Sequence, residues 1–300
     1  MKERTLLPEG VYTALITPFT DGEVDRSAWQ RLVERQVAAG VAGLVPVGCT
    51  GEAAALSQDE REWLIRTAVE IAAGRCCILA GSGTNVTAST IENTRLVTDW
   101  GADAAMLISP YYNKPQQHGL VAHYKTVAEA TDIPLVLYNV PGRTAVNILP
   151  ATVRELAAEP NIAAVKEASG DLGQIREMIE TTGLQVFSGD DGLNLDIFRL
   201  GAGGAISVLS NLLPGTLVRL WNAWRSGDEA AAQTLQDAVE PVIEACFRET
   251  NPVPTKHMLA NMDLCRAELR LPLVPALPAT QTWLQDFGNG PLSILLEAEA

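Results

Sequence analysis

The chain has 300 residues, with 22 Lys and Arg against 36 Asp and Glu, giving a formal net charge of −14 and a pI near 4.7. That balance, with no basic run, supplies no cationic field for a phosphate backbone or an anionic membrane surface, so nucleic acid and membranes are excluded as partners. With 47% hydrophobic and 19% charged residues, the composition is that of a globular chain with a large core, not a disordered one.

Residues 12–19 are an apolar, β-branched run, and after a turn at Gly22 residues 27–39 carry a helical pattern closed by Gly40. Residues 44–47 read as a second strand. The helix after it opens on Ser57-Gln58-Asp59-Glu60, a capping box in which Ser57 and Glu60 satisfy each other's end of the first turn, and Gly74 stops it. Further strands are expected at 76–80, 104–108, 135–140, 162–165, 185–187 and 205–209, with amphipathic stretches between them.

Strands apolar on both faces, each joined to the next by a helix, describe a parallel sheet covered by helices. At roughly 26 residues per unit, eight units suit an α/β fold of the closed (β/α)8 TIM-barrel type. A doubly wound sheet would want a GxGxxG turn after the first strand, and Pro18-Phe19-Thr20-Asp21-Gly22 is not one. Residues 1–213 are expected to supply the barrel strands and their helices. Residues 214–300 are expected to form the last barrel helix and a C-terminal helical appendage with a Pro-punctuated tail, not an independent domain.

No apolar stretch nears the roughly 20 residues that span a bilayer, and Met1-Lys2-Glu3-Arg4-Thr5 lacks the order of a signal peptide, so a cytoplasmic location is expected. Cys49, Cys76, Cys77, Cys246 and Cys265 are odd in number and lack zinc-like spacing, which points to reduced thiols. His118, His123 and His257 make no HExxH pattern and there is no GxSxG serine, so zinc-protease and serine-hydrolase chemistry are set aside.

In a barrel, chemistry belongs at the strand C-termini, and there the polar residues collect. Lys166 directly follows Ile162-Ala163-Ala164-Val165. With a two-residue period it shares a face with Ala164 and Ala168, small enough to leave room for a long side chain and a ligand. A desolvated amine has its pKa lowered and can attack a carbonyl to form a Schiff base; the competing reading is a strand-end lysine that snorkels to solvent. Tyr138 ends its strand and is either a core tyrosine or a proton carrier, the latter only if a hydroxyl chain through Tyr112 and Cys49-Thr50 relays the proton. Arg143, in Pro141-Gly142-Arg143-Thr144, is either a solvated loop residue or a planar fork for a carboxylate. Glu52 and Glu167 read as structural carboxylates. Asp190 and Asp191 resemble a metal pair but suit a turn or helix cap better, and no metal is expected.

Four segments carry a family resemblance: Gly48-Cys49-Thr50-Gly51-Glu52, Tyr138-Asn139-Val140-Pro141-Gly142-Arg143-Thr144, Lys166-Glu167-Ala168-Ser169-Gly170 and Ser188-Gly189-Asp190-Asp191. Together with Asn251-Pro252-Val253-Pro254-Thr255-Lys256, they resemble the dihydrodipicolinate synthase family, one of the pyruvate-dependent class I aldolases that also include N-acetylneuraminate lyase. The resemblance implies that Lys166 forms a Schiff base with pyruvate, with no cofactor beyond that lysine. It implies that Thr50 holds the pyruvate carboxylate, Tyr138 shuttles protons, and Tyr112 reaches in from a neighbouring subunit to complete the relay. Arg143 would bind the carboxylate of L-aspartate 4-semialdehyde, and the Gly189 and Ile206 backbones would line the pocket.

The implied assembly is a homo-oligomer, a tetramer built as a dimer of dimers, and the implied activity belongs to lysine and diaminopimelate biosynthesis. Rival readings are an aldolase for sialic acid or 2-keto-3-deoxy sugar acids and a non-catalytic pyruvate-binding paralogue. The chain departs from the family at Cys49, where a hydroxyl residue is usual. It departs again in the cleft where lysine regulates many members: the matching positions are Ala53, Gln58, Arg61, Asn85, Ser89 and Tyr111, with no acidic partner for a lysine ammonium. Weak or absent feedback by lysine is expected.

Overall fold

Alternate residues along the strands sort into two apolar sets. Val11, Leu44, Ile78, Ala105, Leu137, Val165, Val186 and Ala205 belong to a large core shared with the helices. Tyr12, Val45, Leu79, Met106, Val136, Ala164, Phe187 and Ile206 form a second, inner cluster. A sheet with two buried faces satisfies both sets only by closing on itself. In the computed structural model, which describes residues 4–297, it does so. Met1-Lys2-Glu3, at the start of the signal-peptide reading, and the last three residues of the tail lie outside the described residues.

The barrel strands are β1 Gly10–Ala14, β4 Gly43–Val45, β5 Cys77–Gly81, β6 Ala104–Ile108, β7 Leu135–Asn139, β8 Ile162–Glu167, β9 Gln185–Ser188 and β10 Gly204–Ser207. All pair in parallel with their sequence neighbours, and β1 pairs with β10 to close the ring. Outside the barrel, β2 Phe19–Thr20 and β3 Glu23–Val24 make a small antiparallel hairpin. The expected first strand, 12–19, is thus divided. Asn211 accepts from the Ile16 amide at 3.1 Å and donates to the Ala14 carbonyl at 2.8 Å, so its side chain replaces the ladder where β1 ends. The second strand stops at Val45 because Pro46 has no N–H to donate and Val47 takes a left-handed φ of 51°.

The helices that follow are α1 Arg26–Ala38, α2 Gln58–Ala72, α3 Thr87–Asp99, α4 Gln117–Glu129, α5 Pro141–Thr144, α6 Pro150–Leu156, α7 Leu172–Thr182 and α8 Asn194–Arg199. Beyond β10 come α9 Pro214–Arg225, α10 Glu229–Cys246, α11 Val253–Asn261, α12 Pro278–Phe287 and α13 Ser293–Glu297. Leu284, Phe287 and Leu292 of this C-terminal part join the same large core as Val11 of β1. The capping box at Ser57 and Glu60 is present, with both hydrogen bonds made. Among the described residues no helix is long and apolar enough to cross a membrane.

The C-terminal helices are tied to the barrel mouth by buried charge. Lys256 of α11 is fully buried, with Nζ 2.6 Å from Glu52 Oε1, 2.7 Å from the Glu268 carbonyl and 4.1 Å from the Phe19 ring centroid. Glu52 also accepts from the Arg270 amide at 3.1 Å, and the Arg270 fork grips Glu60 of the capping box at 2.8 and 2.5 Å. Burial pulls the Lys256 pKa down, and Glu52 opposes that shift. Removing one partner strands the other charge, so Lys256→Met should cost about 3–5 kcal/mol in urea-induced unfolding. The double variant Lys256→Met with Glu52→Gln should recover much of that loss; purely additive losses would show that the two charges are not coupled.

Candidate active site

The strand C-termini and the loops after them surround a cavity of about 410 Å³, with Cys49, Tyr138 and Arg143 in its wall. Lys166 is the penultimate residue of β8, level with Tyr138 of β7 and Phe187 of β9. A one-residue bulge shapes this strand: Ile162 pairs with Leu135 but Ala164 pairs with Val136. Ile162 therefore packs outward, while Ala164, and with it Lys166, faces the barrel interior.

The lysine does not snorkel. It is 4% exposed, and its Nζ lies 4.2 Å from the centroid of the Tyr138 ring. Room for its stem comes from Ala164, Ala168 and Gly189: a Cβ at Gly189 would stand 3.0 Å from Lys166 Cε and 2.9 Å from the Ala168 methyl. Desolvation pushes the Lys166 pKa down to about 8; Cys49 and Asp191 pull it up, and Arg143 adds to the lowering. Burial raises the Tyr138 phenol, and Cys49 acts in the same sense. Burial also raises the Cys49 thiol against the opposing pull of Arg143 and Lys166.

Thr50 is buried in the turn after β4. Its Oγ1 accepts from Asn251 Nδ2 at 2.9 Å, and the Asn251 carbonyl accepts from Arg143 Nη2 at 3.0 Å. Asn251 and the tail segment Arg270-Leu271-Pro272-Leu273 at the cavity wall are what sequence reasoning missed. Asn251 lay within a family motif, but nothing in the chain says that it returns to a residue 201 positions away. Ile206 is buried inside the barrel on β10, and Gly189 follows β9.

Tyr112 is not brought to Lys166. It is 89% exposed and held at a left-handed φ of 74°. Of the cleft residues, Ala53, Arg61 and Tyr111 line the cavity, and Gln58 and Arg61 line an adjoining one of about 220 Å³. Asn85 accepts from Asn113 Nδ2 through its carbonyl at 2.9 Å, and Ser89 lies on α3. Burial lowers the Arg61 pKa, and its Nε has no partner.

The remaining carboxylates are engaged. Asp191 accepts from the Val208 and Leu209 amides, both at 2.9 Å, and from Asn194; Asp190 accepts from the Gly192 amide. Glu167 holds Asn139 Nδ2 at 3.1 and 3.0 Å and the Ser169 amide at 2.7 Å, with its pKa raised by burial.

A parallel barrel with a desolvated lysine on an inner strand face, stacked on a tyrosine, with an arginine at the mouth, defines a class of enzyme suited to carbonyl chemistry on an amine. Comparison with known proteins narrows the class. Residues 7–287 match the dihydrodipicolinate synthetase family, and the chain belongs to that family. It is 46% identical over 267 residues to 4-hydroxy-tetrahydrodipicolinate synthase of Thermodesulfovibrio yellowstonii, covering 88% of this chain and 92% of the relative.

Among solved structures it resembles the pyruvate complex of the chloride-inhibited dihydrodipicolinate synthase of Acinetobacter baumannii, with a TM-score of 0.92, 39% identity and coverage of 95% and 99% of the two chains. It also resembles a monomeric dihydrodipicolinate synthase variant, with a TM-score of 0.93, 38% identity and coverage of 96% and 97%.

The depressed Lys166 pKa has a direct test. In acetic anhydride labelling followed by mass spectrometry, Lys166 should react in its neutral form with a midpoint near pH 8, against roughly 10.4 for ordinary lysines. A midpoint matching the surface lysines would mean that the amine is not desolvated.

Proposed function

We propose that this chain condenses pyruvate with L-aspartate 4-semialdehyde to 4-hydroxy-tetrahydrodipicolinate, a step of lysine and diaminopimelate biosynthesis. The observation that carries the reading is Lys166, an amine held inside the barrel with its pKa near 8. The neutral Nζ attacks the keto carbon of pyruvate, and loss of water leaves an imine on Lys166. The protonated nitrogen acidifies the pyruvate methyl, and Tyr138, beside it, carries the proton away to give the enamine. The enamine carbon attacks the aldehyde. The substrate's own amine then adds to the imine carbon and expels Lys166, which returns unchanged, so no cofactor beyond this lysine is required.

Thr50 holds the pyruvate carboxylate, Arg143 takes the carboxylate of the semialdehyde, and the backbones at Gly189 and Ile206 line the pocket. A phenol whose pKa is raised needs a relay. On this reading the relay runs through Cys49 as a protonated, weakly donating thiol and through Tyr112 of a neighbouring chain. The exposure of Tyr112 and its outward presentation support that role, and with it a homo-oligomeric assembly, a tetramer formed as a dimer of dimers. Residues 1–213 are read as the barrel and 214–300 as a part built onto it. The five free thiols support a cytoplasmic location. Arg143 and the curated relatives favour the synthase over a sugar-acid aldolase, and Lys166 disfavours a non-catalytic paralogue.

Borohydride with pyruvate should inactivate the enzyme and leave a reduced three-carbon adduct on Lys166. Arg143→Ala should lower kcat/KM for the semialdehyde by about 2–4 kcal/mol while pyruvate still binds. Full inactivation without modification of Lys166, or unchanged semialdehyde kinetics in Arg143→Ala, would overturn the mechanism or the acceptor respectively.

Feedback follows from charge. The cleft offers Arg61 to a lysine ammonium, and the carboxylate in the same wall, Glu52, is committed to Lys256. The charge-assisted bond forgone is worth about 1.5–3 kcal/mol. Titration of activity with L-lysine should therefore show no half-inhibition at submillimolar concentration; inhibition there would mean that another carboxylate serves the cleft.

A further inference from the structure

Asn251 is buried just before α11 and touches both substrate-binding side chains through different atoms. Its side-chain Nδ2 donates to Thr50 Oγ1 at 2.9 Å, while its backbone carbonyl accepts from Arg143 Nη2 at 3.0 Å. Its own Oδ1 faces Thr255 Oγ1, a donor at a long 3.5 Å, which agrees with the NH2 being turned toward Thr50. A hydroxyl that accepts from an amide cannot spend its own proton on that amide. The Thr50 proton is therefore left to donate elsewhere, which is what a carboxylate ligand requires.

We propose that Asn251 is the positioning residue of this site: its side chain sets the donor direction of the Thr50 hydroxyl toward the pyruvate carboxylate, and its backbone independently holds the Arg143 fork. The proposal rests on the reading of Thr50 and Lys166 given above. It separates two substrates that a merely structural residue would affect together. A side-chain change at Asn251 disturbs Thr50 but leaves a backbone carbonyl for Arg143, so pyruvate affinity falls while semialdehyde KM stays.

The order of variants is equally specific. In Asn251→Asp the carboxylate accepts the Thr50 proton and withdraws it from the ligand. In Asn251→Ala the hydroxyl merely becomes free to rotate. Positioning therefore predicts that Asp, the isosteric change, is the more damaging; packing predicts that Ala is.

The experiment is borohydride trapping of pyruvate on Lys166 over a range of pyruvate concentrations, in the full-length protein, with semialdehyde KM measured beside it. Half-saturation should rise roughly tenfold or more in Asn251→Asp, less in Asn251→Ala, with semialdehyde KM within about twofold of the parent in both. In a Thr50→Val background, Asn251→Ala should change half-saturation no further, and this arm decides the matter even if Asn251→Asp does not fold.

Equal half-saturation in all variants, a larger effect of Ala than Asp, a parallel rise in semialdehyde KM, or additivity with Thr50→Val would each overturn the proposal. Failure of the parent protein to trap pyruvate at all would instead overturn the Lys166 reading, so the two failures are distinct.

Discussion

The buried ion pair between Lys256 and Glu52 is the constraint on which the mouth of the barrel depends. An unpaired charge in that position would be expelled or neutralised, so the pair holds α11 against the turn after β4 with little freedom of geometry. That turn carries Cys49 and Thr50. The same carboxylate receives the Arg270 amide, and Arg270 reaches on to the capping box of α2, so one buried anion registers three separated segments around the cavity. Asn251 lies just before α11 and reaches Thr50 as a consequence of the same docking.

Among the described residues two lysines are buried, and the protein treats them in opposite ways. Lys256 is fully buried yet remains satisfied, because a carboxylate and a carbonyl meet its ammonium. Lys166 is buried against a ring face and small residues, and desolvation brings its pKa down to about 8, which enlarges the share of neutral amine. The side chain is identical; the difference is the number of acceptors within reach. Strong pairing makes the first a structural joint, and desolvation of the second is what its proposed role as a nucleophile rests on.

Backbone strain is concentrated at the same end. Val47, Tyr112 and Ala145, at φ of 51°, 74° and 57°, each follow a different barrel strand and sit in the left-handed region. For Val47 the β-branched side chain makes that conformation costly, and the buried Lys256–Glu52 joint lies on the loop that leads away from it. The strain lets the chain turn sharply at the strand end, so that Gly48 and Cys49 are presented to the cavity instead of continuing outward.

The alternation of apolar runs and helices, the capping box at Ser57 and the small residues flanking Lys166 are local patterns, and the sequence by itself determined the barrel class and the lysine. Period and capping depend only on neighbours a few positions apart. The inward direction of Lys166 was also legible, although counting back to Ile162 would have placed that residue inside as well; the bulge, which depends on pairing with β7, sent it outward.

What only the tertiary structure decided are the long-range unions: Asn251 with Thr50 and Arg143, Lys256 with Glu52, Arg270 with Glu60, and the separation of Tyr112 from the site within one chain. Hydrogen-bond partners and desolvation arise from which segments the closed barrel packs together, and no residue carries in its own neighbourhood the identity of a partner two hundred positions away.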